Sequence, residues 1–283
     1  MEAARVGAQA RSDSAFRSGA IIGLLGFLTV VPFYIWIHNL QAKDKSAAAI
    51  GMASMHMNRM HVFWSFPILQ ATGLAALIWA YIGVTLGLLE SGKTISWIPL
   101  KRPQVDRIHR QISLLVITLI VVHAGATALD AMGDNFASAF VPWHESWHQA
   151  QFAYNLGIFA LYLALILGPT YYLRRQIGPT RWRFLHRFSV IVYILSFWHT
   201  MILGLDISYY GWVRPFMWIM QIPLLLLFIR RLLQPAQSTR HLSGARLRTR
   251  VAVTRTLVAL SWAAVVAAAV IVVTGNSDFI TNI

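Results

Sequence analysis

Seven long apolar stretches constrain this chain more than any other feature of its sequence. A helix needs about 20 apolar residues to cross a hydrocarbon core about 30 Å thick. Only 12% of the 283 residues are charged, about half the usual share in soluble domains, so a soluble globular fold, a disordered tail and a fibre are excluded. We predict an all-α integral membrane protein with about seven transmembrane helices, six in a core and one extra C-terminal helix. The predicted spans lie near Gly19–His38, Phe63–Leu89, Ile108–Ala131, Phe152–Leu173, Phe184–Leu205, Trp212–Leu232 and Thr254–Thr274.

Basic residues are concentrated in alternate loops. Twenty of the 24 lysines and arginines lie in the N-terminal tail and in, or within a few residues of, the loops after the second, fourth and sixth predicted spans. Since cytoplasmic loops carry the excess of Lys and Arg, the N-terminus is predicted to be cytoplasmic and, with an odd number of spans, the C-terminus to lie outside. A bacterial cytoplasmic membrane is the expected location. The net charge of +14 then indicates contact with anionic lipid, not with nucleic acid.

The rest of the composition limits the cofactors and the organisation. The chain has no cysteine, which excludes disulfides, thiolate zinc sites and iron–sulfur clusters. It shows neither a dinucleotide-binding glycine motif nor a Walker loop, so we expect no flavin or NADPH domain in this chain. We predict a cytoplasmic tail over residues 1–18, a transmembrane domain over 19–232, a basic cytoplasmic linker over 233–253, and a seventh helix with an outer tail over 254–283.

Two predicted spans carry paired histidines. His109 and His123 lie on the third, and His186 and His199 on the fifth, which runs in the same direction. At about 1.5 Å per residue, the members of the two pairs are separated by roughly 21 and 19.5 Å, so the four imidazoles lie at two matching depths. This arrangement suits two haems stacked across the membrane, each with one imidazole from each helix and no open axial position.

Arginines flank the inner pair of histidines and are candidates to bind haem propionates through charge-assisted hydrogen bonds. They are Arg107, Arg110 and Arg187.

One detail does not fit two regular helices. Fourteen residues rotate a helix by roughly 1400°, so His109 and His123 share a face, whereas thirteen rotate it by roughly 1300° and turn His186 and His199 apart by about 140°. Either His186 lies in a distorted first turn, or the two haems lie on different flanks of the fifth span.

The histidine pattern resembles the ferric reductase-like transmembrane family, which includes ferric reductases and the membrane half of NADPH oxidases. Its members carry His-x13-His on the third core helix and His-x12-His on the fifth, as His109/His123 and His186/His199 do here. The resemblance covers about residues 19–232 and includes the run Leu185-His186-Arg187. It implies two b-type haems, the inner held by His109 and His186 and the outer by His123 and His199. The seventh span departs from the family pattern.

A second group of candidate ligands lies on the predicted outer face. Thioether and imidazole groups suit copper, and imidazole also suits ferric iron, so these side chains form a possible outer metal site, with packing at the membrane border as the alternative. The run His144-Glu145-Ser146-Trp147-His148 also matches the zinc motif H-E-x-x-H, but no third ligand follows it. The candidate residues are Met52, Met55, His56, His61, His144 and His148.

The predicted function is transmembrane electron transfer by the haem subunit of an oxidoreductase. Electrons would enter from a separate flavoprotein or a membrane quinol and leave at the outer face to a ferric or cupric complex, oxygen or a redox protein. One alternative is a quinone-linked haem subunit serving a periplasmic reductase. Another is a metal-ion carrier with Met and His ligands and no haem, although the first, sixth and seventh spans offer almost no polar path for it.

Overall fold

Every element of the described chain is a helix. The structure, a computed structural model, describes residues 2–43, 65–90, 101–129, 136–144, 148–204, 212–233 and 244–274. The helices in these ranges are α1 (Glu2–Lys43), α2 (Ser65–Glu90), α3 (Arg102–Ala128), α4 (Phe136–Phe140), α5 (His148–Leu167), α6 (Thr170–Ile177), α7 (Pro179–His186), α8 (Ser189–Leu203), α9 (Val213–Leu233) and α10 (Gly244–Thr274).

The lengths and apolar character of these helices confirm the predicted all-α membrane fold. Six candidate spans are present among the described residues, or seven if the bent pair α5 and α6 is counted as one. The helices α7 and α8 together make one of the six, over Pro179–Leu203. Large apolar side chains such as Phe27 and Ile166 are exposed along the spans, which is the surface that a lipid environment requires.

The fourth predicted span is bent in the structure. It was expected to run through Leu173, but α5 ends at Leu167 and α6 leaves at an angle of 50°. The break falls at Gly168 and Pro169. Proline has no N–H to donate and its ring collides with the preceding turn, so a sharp change of direction here has an identifiable cause.

The chain divides into two compact units. The first contains residues 1–84 and 106–204, and in it α5 packs along α8. A buried apolar cluster joins α2 and α3 through Ala75, Ala76 and Leu119. The second unit contains residues 85–105 and 205–283, and in it α9 packs along α10. The helix α10 begins at Gly244, within the segment predicted as a basic linker.

Small residues let the helices of the first unit approach closely. A Cβ atom added to Gly26 of α1 would lie 2.6 Å from Leu115 Cδ1 of α3, whereas one added to Gly23 would meet nothing within 4 Å. Helix association in membranes depends on such packing, since lipid gives no hydrophobic drive to bring helices together.

These two glycines supply a matched test of the packing of α1 against α3. We expect Gly26→Leu to cost about 1–3 kcal/mol, the usual cost of overpacking, and Gly23→Leu to cost little. Thermal unfolding of the purified protein in detergent measures both. Equal melting temperatures for the two variants would contradict the contact between Gly26 and Leu115.

Candidate functional site

The first unit brings the four histidines of the two spans together as two pairs. His123 of α3 and His199 of α8 have ring centroids 6.0 Å apart and planes inclined by 89°. His109 of α3 and His186 at the end of α7 repeat this arrangement, with centroids 6.0 Å apart and planes inclined by 87°. From the orientation predicted by the sequence, we refer to His123 and His199 as the outer pair and to His109 and His186 as the inner pair.

Both rings of the outer pair are oriented by carbonyl oxygens of neighbouring helices. His123 Nδ1 donates to Leu69 O of α2 at 2.7 Å, and His199 Nδ1 donates to Ala153 O of α5 at 2.8 Å. A carbonyl oxygen only accepts, so the hydrogen of each neutral ring lies on Nδ1. The lone pair is then on Nε2, which is the arrangement of a metal-ligating histidine whose other nitrogen donates to a carbonyl.

Two glycines make room for these two imidazoles. A Cβ atom at Gly73 would lie 2.9 Å from His123 Nδ1 and Cε1, and one at Gly157 would lie 2.7 Å from the same atoms of His199. Each glycine comes four residues after the accepting carbonyl, Leu69 or Ala153. In a helix the N–H of residue i+4 bonds to that same carbonyl, and a side chain at i+4 would obstruct the approach of the imidazole to it.

The inner pair is oriented in two different ways. His109 Nδ1 donates to Gly83 O of α2 at 2.9 Å, as in the outer pair. The carbonyls of Leu69 and Gly83 on α2 are fourteen residues apart, the same spacing as His123 and His109 on α3. The ring of His186 instead stacks on the indole of Trp182, with centroids 5.1 Å apart and planes inclined by 22°.

A local tightening of the helix accounts for most of the angular mismatch noted in the sequence. Around Arg187 and Phe188, four backbone bonds join residues three apart, with N···O distances of 3.0 Å for Phe188 to Leu185 and 2.9 Å for Ile191 to Phe188. A 3₁₀ step turns about 120° where an α-helical step turns about 100°. Four such steps add about 80° and reduce the mismatch between His186 and His199 from about 140° to about 60°. Of the two explanations offered by the sequence, the structure supports the distorted turn.

A network of aromatic rings and arginines surrounds the inner pair. Trp182 meets Tyr171 of α6 edge to face at 5.9 Å. The Tyr171 ring has the Arg174 guanidinium 3.8 Å from its centroid and the Arg110 guanidinium 5.3 Å from it. Arg110 Nη1 also donates to Tyr171 Oη at 2.9 Å. This network ties α3, α6 and α7 together around His186.

The three arginines predicted to bind haem propionates have different surroundings. Arg110 belongs to this network through Tyr171. Arg107 is partly buried on α3, and Arg187 is exposed in the tightened turn after His186.

Little of the predicted outer metal site falls on described residues. Met52, Met55, His56 and His61 lie outside them, as does Glu145 of the zinc motif. His144 is exposed, and His148 begins α5, where only the backbone is described. No group of three His or acidic side chains suited to a metal ion is present in the described ranges.

The spacing of each histidine pair fits a metal ion held between the two rings. Imidazole–metal bonds are about 2.0–2.1 Å long, which puts two imidazoles on opposite sides of one ion with their centroids about 6 Å apart. The observed 6.0 Å in both pairs meets this requirement. Two imidazoles at each site are a donor set that would suit a haem iron.

The site contains residues that the sequence analysis did not identify. They accept a hydrogen bond from an imidazole, make room for an imidazole or surround His186. The glycines among them are recognisable in the sequence as small residues within apolar helices, whereas the carbonyl acceptors are not. These residues are Leu69, Gly73, Gly83, Ala153, Gly157, Tyr171, Arg174 and Trp182.

Comparison with known proteins supports the predicted resemblance. Residues 72–197 match the family model described as ferric reductase like transmembrane component. The matched segment contains His109, His123 and His186 and ends two residues before His199. Searches of the curated proteins and of the solved structures found no match.

The close contact between Gly157 and His199 predicts the effect of adding one methyl group at Gly157. Gly157→Ala should push the His199 ring off Ala153 O and cost about 1–3 kcal/mol, since a buried donor loses its acceptor. Gly125→Ala is the control, because a Cβ atom at Gly125 meets nothing within 4 Å. Thermal unfolding measures both, and a Gly157→Ala melting temperature at or above that of the control would refute the packing of Gly157 against His199.

Proposed function

Because residues 72–197 match the model of the ferric reductase-like transmembrane family, we propose that this chain carries electrons across the membrane as the haem subunit of an oxidoreductase. The observation that supports this most directly is the repeated imidazole pair, with ring centroids 6.0 Å apart at both depths. His109 and His186 would hold an inner b-type haem, and His123 and His199 would hold an outer one. Each haem would supply one-electron transfer.

The chain's own residues prepare the two sites for this role. The carbonyls of Leu69, Gly83 and Ala153 each fix the tautomer and the ring orientation of one imidazole without any bound cofactor. Ligands fixed in this way would not need to reorient during electron transfer, and the hydrogen bond at Nδ1 would make Nε2 a stronger ligand for iron.

Aromatic side chains occur in sequence between the two pairs. Tyr193 and Phe197 of α8 are buried, and the Tyr193 ring lies 6.3 Å from that of Tyr81 on α2. All three lie in sequence between the ligands or carbonyl acceptors of the inner and outer pairs. In the proposed function, these buried rings would help to keep water away from the two sites.

The direction of transfer follows from the charge distribution of the sequence. With the basic loops in the cytoplasm, His109 and His186 are nearer the cytoplasm and His123 and His199 nearer the outer face. A cytoplasm-negative potential favours outward electron movement by about 2.3 kcal/mol per 100 mV for a full crossing. The donor is a separate flavoprotein or a membrane quinol, and the acceptor at the outer face is a ferric or cupric complex, oxygen or a redox protein.

The proposal predicts a stoichiometry of about two haems per chain. The pyridine haemochrome assay on the purified full chain measures it, and reduced-minus-oxidised spectra identify the b type. A folded, monodisperse preparation without haem would overturn the proposed function.

Single substitutions then assign each haem to its ligands. His199→Leu should remove about one haem of the two and leave the centre at His109 and His186, because the two pairs share no ligand. His109→Leu should do the converse. The control is His144→Leu, an exposed histidine outside both pairs, which should retain both haems. Loss of both haems from every histidine variant, including the control, would contradict independent sites.

A further inference from the structure

We propose that Trp182 is the positioning residue of the inner centre, and that its indole N–H donates to a carboxylate of the haem held by His109 and His186. The inference rests on the proposed function, because it needs a haem at that pair. It assigns a role to a residue outside the histidine pattern, and it explains why the inner and outer pairs are built differently.

The first observation is the way His186 is oriented. The other three imidazoles each donate from Nδ1 to a backbone carbonyl. Among the described residues, the side chain of His186 makes ring contacts with Trp182 and with its partner His109. The near-parallel indole, inclined by 22° at a centroid distance of 5.1 Å, fixes the plane of the imidazole by stacking.

The position of His186 at the end of α7 explains why stacking on Trp182 takes the place of a hydrogen bond to a carbonyl. Trp182 lies four residues before His186, so the two side chains share one face of α7. The 3₁₀ turn at Arg187 and Phe188 follows immediately. Because Trp182 and His186 lie on the same short helix, their stacking does not depend on the orientation that the 3₁₀ turn gives to α7. A hydrogen bond to a carbonyl on a separate helix would depend on it.

The second observation is an unsatisfied donor beside the pair. Within the described part of the chain, Trp182 Nε1 is buried and has no hydrogen-bond acceptor. A buried polar group without a partner costs about 1–3 kcal/mol. A carboxylate at this position removes that cost, since an indole nitrogen can only donate and a carboxylate can only accept.

The third observation is the positive charge around the indole. Tyr171, which contacts Trp182 edge to face, lies against the guanidinium groups of Arg110 and Arg174. Two cations within reach of one tyrosine ring favour an anion nearby. The propionates are the anionic groups of a b-type haem. The arginines near Trp182 therefore favour an orientation of the haem in which its propionates lie near the indole.

Two variants separate stacking from hydrogen bonding. Trp182→Phe keeps a ring over His186 and removes the N–H, while Trp182→Leu removes both. The control is Trp218→Leu, which removes a buried tryptophan from α9 in the other unit. The measurements are haem content and the midpoint potentials of the two haems in a redox titration. The His199→Leu variant, which keeps the inner pair, identifies the inner potential.

Trp182→Phe should retain two haems and lower only the inner midpoint potential. Losing the donor leaves more negative charge beside the iron, which favours the ferric state. We expect the ferric-to-ferrous ratio at a fixed potential to rise at least about threefold, which is about 28 mV at 59 mV per tenfold for one electron. Trp182→Leu should lose the inner haem or broaden its signal, and Trp218→Leu should leave both potentials in place.

The outcomes against the proposal are also distinct. An inner potential in Trp182→Phe equal to that of the wild type overturns it, including the case in which a water molecule accepts from the indole. If Trp182→Leu does not fold, the Trp182→Phe potential still decides. If the wild-type chain holds two haems and the inner midpoint potential of Trp182→Phe is unchanged, this inference alone is refuted. If the wild-type chain holds no haem, both this inference and the proposed function are refuted.

Discussion

The hydrogen bond from an imidazole to a helix carbonyl is the interaction on which the rest of this site depends. A helical carbonyl oxygen has two lone pairs, and the N–H four residues later uses one of them. The second can accept from a histidine on another helix, provided that the helices are close and no side chain stands in the way. The pairs Leu69 with Gly73 and Ala153 with Gly157 satisfy both conditions.

This requirement couples helices that are distant in the sequence. The accepting carbonyls Leu69 and Gly83 repeat the fourteen-residue spacing of His123 and His109, so α2 and α3 must stay in register over the whole depth of the site. Within the membrane, each unsatisfied imidazole donor would cost about 1–3 kcal/mol, because no water replaces the lost partner. Register, glycine placement and ligand orientation are therefore parts of one constraint.

Serine and threonine side chains satisfy polar groups next to the ligands in a similar way. Ser113 Oγ donates to the carbonyl of His109 at 2.8 Å, and Thr127 Oγ1 donates to that of His123 at 3.0 Å. Ser189 Oγ donates to the carbonyl of His186 at 2.6 Å, where the 3₁₀ turn interrupts the regular bonding of the helix. These hydroxyl groups need no partner on another helix, since back-bonding within the same helix uses their hydrogen.

The sequence was sufficient for the spans and the pairing of histidines, because both depend on periodicity and length, which are local properties. The 140° mismatch between His186 and His199 was also visible, but whether a tightened turn or a second flank resolves it depends on how α7 packs. The supporting carbonyls could not be predicted, since any residue supplies a carbonyl and only the helix register selects Leu69 or Ala153. The bend at Gly168 and Pro169 was open to prediction, because proline limits a helix by its own chemistry.

The asymmetry between the two pairs follows from where their helices end. His123 and His199 lie within α3 and α8, and each faces a carbonyl of a neighbouring helix. His186 is the last residue of α7 and is followed by a change of helical pitch, so a partner on another helix would have to match both its position and its rotation. An aromatic side chain on the same turn of α7 avoids that requirement. The 3₁₀ turn that brings His186 to face His109 thus also explains why Trp182, rather than a carbonyl, lies against its ring.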